Sequence, residues 1–323
     1  MSVLSKPELS IILITYNQSA YIERAIQGLL SQDYDFKKTE IVVADDFSTD
    51  NTLDLIKRLL PENAFFRIRY LDCSINHGIT RNYERSIAAC EGEFIAILEG
   101  DDYWTYVSKL NKQVRLLKRR REFCACGSNY YIYDESNSIF QLRVPNLTGY
   151  SALGAPSLID DNLPGNFSTM VYRAATLQSL PKAIFELRAF DWIFHILICQ
   201  DSQLCVLHEP MSVYRIHTNG QWSGLDSINK QKQMVADIES YIPLCKKSIQ
   251  DLFKVKQDSV RRNIELLSLP LPLRLLTPPY LRLIAKMSIP PFLTSIFRGL
   301  TPPILQFASS KLKSRSNRIR GVK

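Results

Sequence analysis

With 323 residues, of which 46% are hydrophobic, the chain can bury one large core or two modest ones. No run reaches the ~18 apolar residues that span a bilayer, and seven scattered cysteines are too few for a disulfide framework, so reduced thiols in a cytosol are expected. Ten Lys/Arg and no Asp or Glu fall from Leu266 onward; taken from the net charge of +8 they leave −2 for residues 1–265, so a nucleic-acid binder is not indicated.

The start, "MSVLSKPELSIILITYN", is too short in apolar residues for a signal peptide and reads as a first strand beginning near Leu9. "AYIERAIQGLLSQ" then sets Ile22, Ala25, Ile26, Leu29 and Leu30 at helical spacing, one apolar stripe. "EIVVADDFSTDNT" is a buried-type strand broken by acids, and Asp50 suits the N-cap of the helix "NTLDLIKRLL". "FRIRYLD", "TRNYERSIAAC" and "EFIAILEGDD" read as strand, helix and strand. Continuous apolar strands alternating with helices imply a parallel sheet covered on both faces. Ligands bind such sheets at the carboxyl ends of the strands, and here those ends carry "TYN", "ADD" and "EGDD".

"SKLNKQVRLLKRRR" predicts a helix, and Cys124 and Cys126, two apart, would share one face of the strand that follows. From about 150 to 225 the periodicity weakens, as in a mixed sheet with long loops. Residues 226–265 turn helical, with Pro243 breaking the run. Beyond them, Pro-Pro pairs at 278–279, 290–291 and 302–303 divide apolar pieces such as "YLRLIAKMSI", each suited to lying on a membrane surface.

Three carboxylates in "EGDD" repel one another and resist burial, so that strand end calls for water, a basic neighbour or a metal ion. In "ADDFSTD", Ser48 and Asp50 can cap a helix, a job that does not need Asp45 or Asp46. Asp191 in "RAFDWIF" is either a helix-capping acid or one whose pKa is raised by Phe190 and Trp192. Asp160 and Asp161 are rival acids in a loop-like stretch. His77, His195 and His208 show no ligand spacing.

Taken in order, these segments are similar to one family. "LSIILITYNQSAYIERAIQGLLSQDYDFKKTEIVVADDFSTDNT" closely resembles the opening of glycosyltransferase family 2, inverting enzymes with a GT-A fold. "NHGITRN" resembles its third nucleotide-site segment, "GEFIAILEGDDYW" its DXD-type motif in an EGDD form, and "FDWIF" and "MSVYRIHTNGQWS" its catalytic-base and closing segments. The resemblance implies a mostly parallel α/β GT-A domain over 1–225, with a nucleotide-sugar half to about 105 and an acceptor half after it. A helical extension at 226–265 and a basic tail at 266–323 would follow.

The same resemblance implies roles. Asp46 would accept from a base such as uracil, with Asp45 beside it, Thr15 and Tyr16 packing on the base and Asn17 shaping the turn. Arg81 would face the base or diphosphate. Asp101 and Asp102 would face Mg2+ or Mn2+, Asp102 the more direct ligand, with Glu99 and Asp101 near ribose, sugar or metal and His217 near the metal or diphosphate. Asp191 would be the catalytic base, with Phe-Asp in place of the commoner Glu-Asp or Gly-Asp, and Gly220 and Trp222 would belong to a closing flap. The expected donor is a nucleotide sugar, UDP by default, and the acceptor a glycan or lipid-linked saccharide of the cell envelope. The tail would dock on an anionic cytoplasmic leaflet.

Two other readings share the fold or part of it. A nucleotidyltransferase would show a Gly-rich basic loop near its N-terminus, and "ITYNQSAYIERA" has neither Gly nor Lys. An inactive glycan-binding or membrane scaffold would be favoured by loss of Asp191 or of the Asp101/Asp102 pair, and all three are present.

Overall fold

The structure, a computed structural model, describes residues 6–61, 66–145, 148–218 and 226–268. The predicted flap residues Gly220 and Trp222 and the Pro-Pro tail lie outside the described residues. Two compact units are present, residues 1–261 and 262–323; of the second, the described part is the helical stretch 262–268.

The chain alternates β1 (Leu9–Thr15), α1 (Ile22–Leu30), β2 (Thr39–Asp45), α2 (Thr52–Leu59), β3 (Arg67–Tyr70), α3 (Ile79–Ala89) and β4 (Phe94–Glu99). It continues through β5 (Tyr103–Trp104), α4 (Lys109–Arg119), β6 (Phe123–Asp134), β7 (Ile139–Leu142), β8 (Tyr150–Leu153) and α5 (Ala155–Asp160). Then come β9 (Val171–Arg173), α6 (Ala174–Gln178), α7 (Asp191–Ile198), β10 (Gln203–Ile216), α8 (Ser227–Tyr241) and α9 (Lys247–Ser268). A short 3-10 turn, Ile242–Leu244, sits at the predicted break around Pro243.

One sheet orders the strands β3-β2-β1-β4-β9-β6-β10-β5, with β7 on β6 and β8 on β10. β3, β2, β1 and β4 run parallel, β9 is antiparallel to β4 and β6, and β6 pairs parallel with β10. All seven residues of β1 are buried, because helices cover both of its faces. Leu9, Ile11 and Leu13 pack with Ile22, Ile26 and Leu29 of α1 and Leu110 and Val114 of α4. Ile12 and Ile14 pack on the other face with Tyr83 and Ile87 of α3 and Phe194 of α7. Each such aliphatic side chain withdrawn from water contributes about 1.5–3 kcal/mol.

Three local expectations change. Leu30 leaves the apolar stripe of α1 and is exposed, whereas Gly28 faces inward. A Cβ on Gly28 would meet the Trp104 carbonyl oxygen at 2.7 Å, so the closest approach of α1 to β5 requires glycine. Asp50 does cap α2, but from one position further out: it accepts from Thr52 N–H at 3.0 Å and also from Ser19 N–H at 3.0 Å, tying α2 to the loop after β1. Cys124 and Cys126 fall on opposite faces. The register against β10 slips between Phe123 and Ala125, so Cys124 is a bulge residue and the alternation reverses there. Its thiol lies 3.8 Å from that of Cys199.

Candidate active site

The carboxyl ends of the parallel strands meet at one edge. In register, Thr15 stands beside Asp45 and Ile14 beside Glu99. Above that edge lies a cavity of about 1000 Å³. Of the predicted residues it is lined by Thr15, Tyr16, Asn17, Asp46, Glu99, Asp101, Asp191 and His217. Asp45, Asp102 and Arg81 do not line it.

At one end, Asp46 is 3% exposed and its two oxygens accept from the N–H groups of His77 and Gly78 at 2.8 and 2.9 Å. That pins the segment "NHG" across the cleft. Tyr16 lines the same cavity and is 46% exposed. Asn17 takes a left-handed φ of 52°, and its carboxamide oxygen accepts from Thr49 N–H at 2.8 Å, so it shapes the turn. Asp45 is spent locally: it accepts from the N–H and the hydroxyl of Ser48. Arg81 sits on the outer side of α3, ion-paired with Glu84 and Glu186.

The EGDD turn follows β4. Gly100 N–H donates to Ile14 O at 2.9 Å, and a Cβ on Gly100 would lie 2.5 Å from Gln18 Oε1 and 3.0 Å from Thr15 Oγ1. Glycine therefore lets the turn close against the loop after β1. Asp102 N–H then donates to Glu99 O at 3.0 Å, which turns the Asp102 side chain inward. Asp102 is 1% exposed and accepts from the backbone N–H of Arg215 at 3.0 Å and from Asn166 Nδ2. Asp101 faces the cavity instead, 3.1 Å from His217 Nε2. Burial, then the charges of Asp102 and Asp101, push the Glu99 carboxyl well above the usual range, although Tyr83 donates to it at 2.7 Å.

Arg215, which the sequence reading passed over, supplies the cation of this corner. Its guanidinium carbon lies 4.8, 5.6 and 5.5 Å from the ring centroids of Tyr21, Tyr103 and Tyr133. Its Nε donates to Asp101 O at 3.0 Å. Arg215 and His217 are two apart at the end of β10 and so share a side, a spacing legible in "YRIH". Two more cations, Arg143 and Lys256, line the cavity in ion pairs with Asp161 and Asp160.

Asp191 opens α7 and lines the cavity beside Trp192. One of its oxygens, Oδ1, accepts from Trp192 N–H at 2.5 Å and from Asn162 Nδ2 at 3.2 Å. Desolvation outweighs these bonds and raises its pKa to about 7. Such a carboxyl is poised to take up a proton near neutral pH.

The family model described as "Glycosyl transferase family 2" matches residues 10–179, more than half of the chain. The chain belongs to glycosyl transferase family 2. The uncharacterized protein Rv1520 of Mycobacterium tuberculosis is 31% identical over 214 residues, which are 66% of this chain and 60% of that protein. The match thus spans less than two thirds of that relative's length. The Escherichia coli protein WfaP, named a UDP-Glc:alpha-D-GlcNAc-diphosphoundecaprenol beta-1,3-glucosyltransferase, is 36% identical over 123 residues, 38% of this chain and 46% of its own. The crystal structure of S. aureus TarS 1-349 in complex with UDP-GlcNAc superposes with a TM-score of 0.62 at 20% identity, covering 82% of this chain and 77% of that one. At that identity the likeness establishes the GT-A-like α/β fold.

Proposed function

We propose that the chain is an inverting glycosyltransferase that moves a sugar from a UDP-sugar to a hydroxyl of a lipid-linked saccharide in envelope polysaccharide synthesis. One observation carries this reading. A single cavity joins Tyr16 and Asp46 at one part of its wall, Asp101, Arg215 and His217 at another, and Asp191 at a third. These are groups suited in turn to a base, a diphosphate and an attacking hydroxyl. The name of WfaP supports the donor and acceptor class, and TarS, of like fold, holds UDP-GlcNAc.

In this reading the base stacks on Tyr16 near Asp46. Arg215 offsets the charge that grows on the nucleotide diphosphate as the bond from the sugar's anomeric carbon to its oxygen breaks. The acceptor hydroxyl attacks from the opposite face, and Asp191 takes its proton as the new bond forms. Asp191 in its ionised form is the competent one.

A divalent cation fits the corner. Asp101 and His217 offer an oxygen and a nitrogen side by side, and a hard cation of this kind takes one or two carboxylates with phosphates and water. Close by, Thr15 Oγ1 and Gln18 Oε1, packed against Gly100, are buried with no hydrogen-bond partner among the described residues. Among the described residues there is no cluster of three or more metal-ligating side chains, so donor phosphates would complete the shell. Bound there, Mg2+ or Mn2+ would supply positive charge to the leaving diphosphate. Asp102 would act from behind, holding the strand that carries Arg215.

Among the described residues no helix is long and apolar enough to cross a membrane. A lipid-linked acceptor would place the work at a membrane surface, where the basic stretch 266–323 is the part of the sequence suited to anionic headgroups.

Nucleotide release from a panel of UDP-, GDP- and dTDP-sugars tests the reading, with Mn2+, Mg2+ or chelator, for wild type, Asp101→Ala and Asp191→Asn. Turnover of one donor that needs metal and disappears in both variants is the expected result. Metal-independent turnover that survives in Asp191→Asn would sink it.

A further inference from the structure

His195 is fully buried one helical turn after Asp191, and its two ring nitrogens are both engaged: Nε2 lies 2.8 Å from the Tyr172 hydroxyl and Nδ1 lies 3.0 Å from Asn162 Oδ1. The direction of every bond in this chain can be deduced. Asn162 has a nitrogen 2.9 Å from Gly165 O, which can only accept, so that end of the carboxamide is Nδ2. The opposite end is then an oxygen, which can only accept, so His195 Nδ1 carries the proton. His195 Nε2 is therefore bare, and the Tyr172 hydroxyl must donate to it. The second N–H of Asn162 donates to Asp191 Oδ1 at 3.2 Å.

Gly165 fixes the start of the deduction. Its φ is 76°, and a Cβ there would meet the Tyr130 ring at 2.4 Å, so the turn from Asn162 to Gly165 is held at one spacing. That turn is closed by Gly165 N–H donating to Asn162 O at 2.9 Å.

We propose that Tyr172, His195 and Asn162 form a neutral positioning relay that assigns the two oxygens of Asp191 different tasks. Oδ1 is held by Asn162 and by Trp192 N–H, and Oδ2 is kept for the proton of the incoming acceptor hydroxyl. The proposal rests on the reading of Asp191 as the base. None of the three touches the reacting atoms in this role; they act through Asp191.

The relay has to stay uncharged, and its surroundings ensure that. Burial pushes the His195 pKa down to about 3, so the ring remains neutral at any pH at which the enzyme would work. The titratable groups that act on Asp191 include Glu99 of β4 and the hydroxyls of Tyr83, Tyr130, Tyr172, Tyr214 and Tyr241, from α3, β6, β9, β10 and α8. The cations Arg143, Arg215 and Lys256 line the same cavity, Arg143 and Lys256 in ion pairs with Asp161 and Asp160. The two donors on Oδ1 are the groups that favour the ionised carboxylate, so the acid limb of the rate profile should report on them.

The test uses the full chain with the donor it turns over. Nucleotide release is followed from pH 5 to 9 for wild type, Asp191→Asn, Asn162→Ala and Tyr172→Phe, each checked by thermal melting. Asn162→Ala should lower kcat about tenfold with little change in donor KM. It should also move the acid limb upward by roughly half a pH unit or more, because a hydrogen bond to the charged form is lost. Tyr172→Phe should move it the same way by less. A variant that merely melts lower, with wild-type kcat and acid limb, overturns the positioning role. Wild-type turnover in Asp191→Asn overturns the base reading and with it the function of the relay. Loss in Asp191→Asn with an unaltered Asn162→Ala removes the relay alone. Nitrogen NMR of the histidine rings in the wild-type chain needs no variant. His195 should show the Nδ1–H tautomer and no titration between pH 5 and 8, and an Nε2–H tautomer or a midpoint near 6.5 would overturn the proposal.

Discussion

The backbone N–H of Arg215 donates to the carboxylate of Asp102 at 3.0 Å, across 113 positions of sequence. The second aspartate of the EGDD turn is thereby bonded to the strand that delivers Arg215 and His217, while the first, Asp101, meets the cavity. Two neighbouring aspartates thus have different work, and their variants should separate. Asp101→Asn should melt like wild type and lose the response of nucleotide release to Mn2+. Asp102→Ala leaves buried donors at Arg215 and Asn166 without an acceptor and should cost on the order of 2–3 kcal/mol in denaturant unfolding. Asp102→Asn should be milder, because Asn166 Oδ1, buried with no partner among the described residues, can accept from the new amide once the carboxamide flips. An Asp102→Asn chain that folds normally but no longer responds to metal would make Asp102 the direct ligand after all.

Arg215 is held between three tyrosine rings, which a planar guanidinium can face and a lysine ammonium cannot match. Arg215→Lys retains the charge and loses the stacked, forked geometry. Its kcat for nucleotide release should fall about 10–100-fold with fold stability nearly unchanged, as for loss of one preorganised charge-stabilising group. A kcat within twofold of wild type would show that Arg215 only braces the tyrosines.

Tyr16 lines the cleft and is about half exposed, and the buried Asp46 lines the same cavity. Base stacking on an aromatic side chain contributes about 1–3 kcal/mol. Tyr16→Ala should therefore raise the donor KM about tenfold or more, with kcat close to wild type, while Tyr16→Phe stays near wild type on both. Donor titration by calorimetry checks the same point without turnover, and equal affinity in Tyr16→Ala would place the base elsewhere.

The strand ends were legible because polar residues interrupt apolar runs, and such an interruption is a local signal. "TYN", "ADD" and "EGDD" all come to one edge for that reason. What local reading could not settle is direction. Asp101 and Asp102 are equivalent in sequence, and only the closure of the turn on Glu99 O points one outward and the other in. Asp45 and Arg81 have the right chemistry, but Ser48, Glu84 and Glu186 engage them first. Conversely, Arg215 and His195 are partnered by residues far off in the chain or on other elements, such as Tyr21 and Tyr172, and no spacing rule reaches that far.

Asp191 also bears on stability, and its sign is the reverse of a salt-bridged acid. Its folded pKa of about 7 lies above the ordinary 3.8, so the folded chain binds that proton more tightly than the unfolded one. The resulting stabilisation is complete below pH 3.8 and is lost as the pH rises through about 7, where a desolvated carboxylate must be carried. Asp191→Asn keeps the shape without ionising. Melting should then rise relative to wild type by about 2–5 °C at pH 8 and by much less at pH 5, using ordinary size scaling. Glu99 and Asp102 are shifted in the same direction, and the charge of Asp191 is one cause of the Glu99 shift, so Asp191→Asn also eases Glu99 and adds to the gain at high pH. A difference that does not vary with pH would mean that Asp191 is solvated, and its fitness as a base would have to come from the bound acceptor.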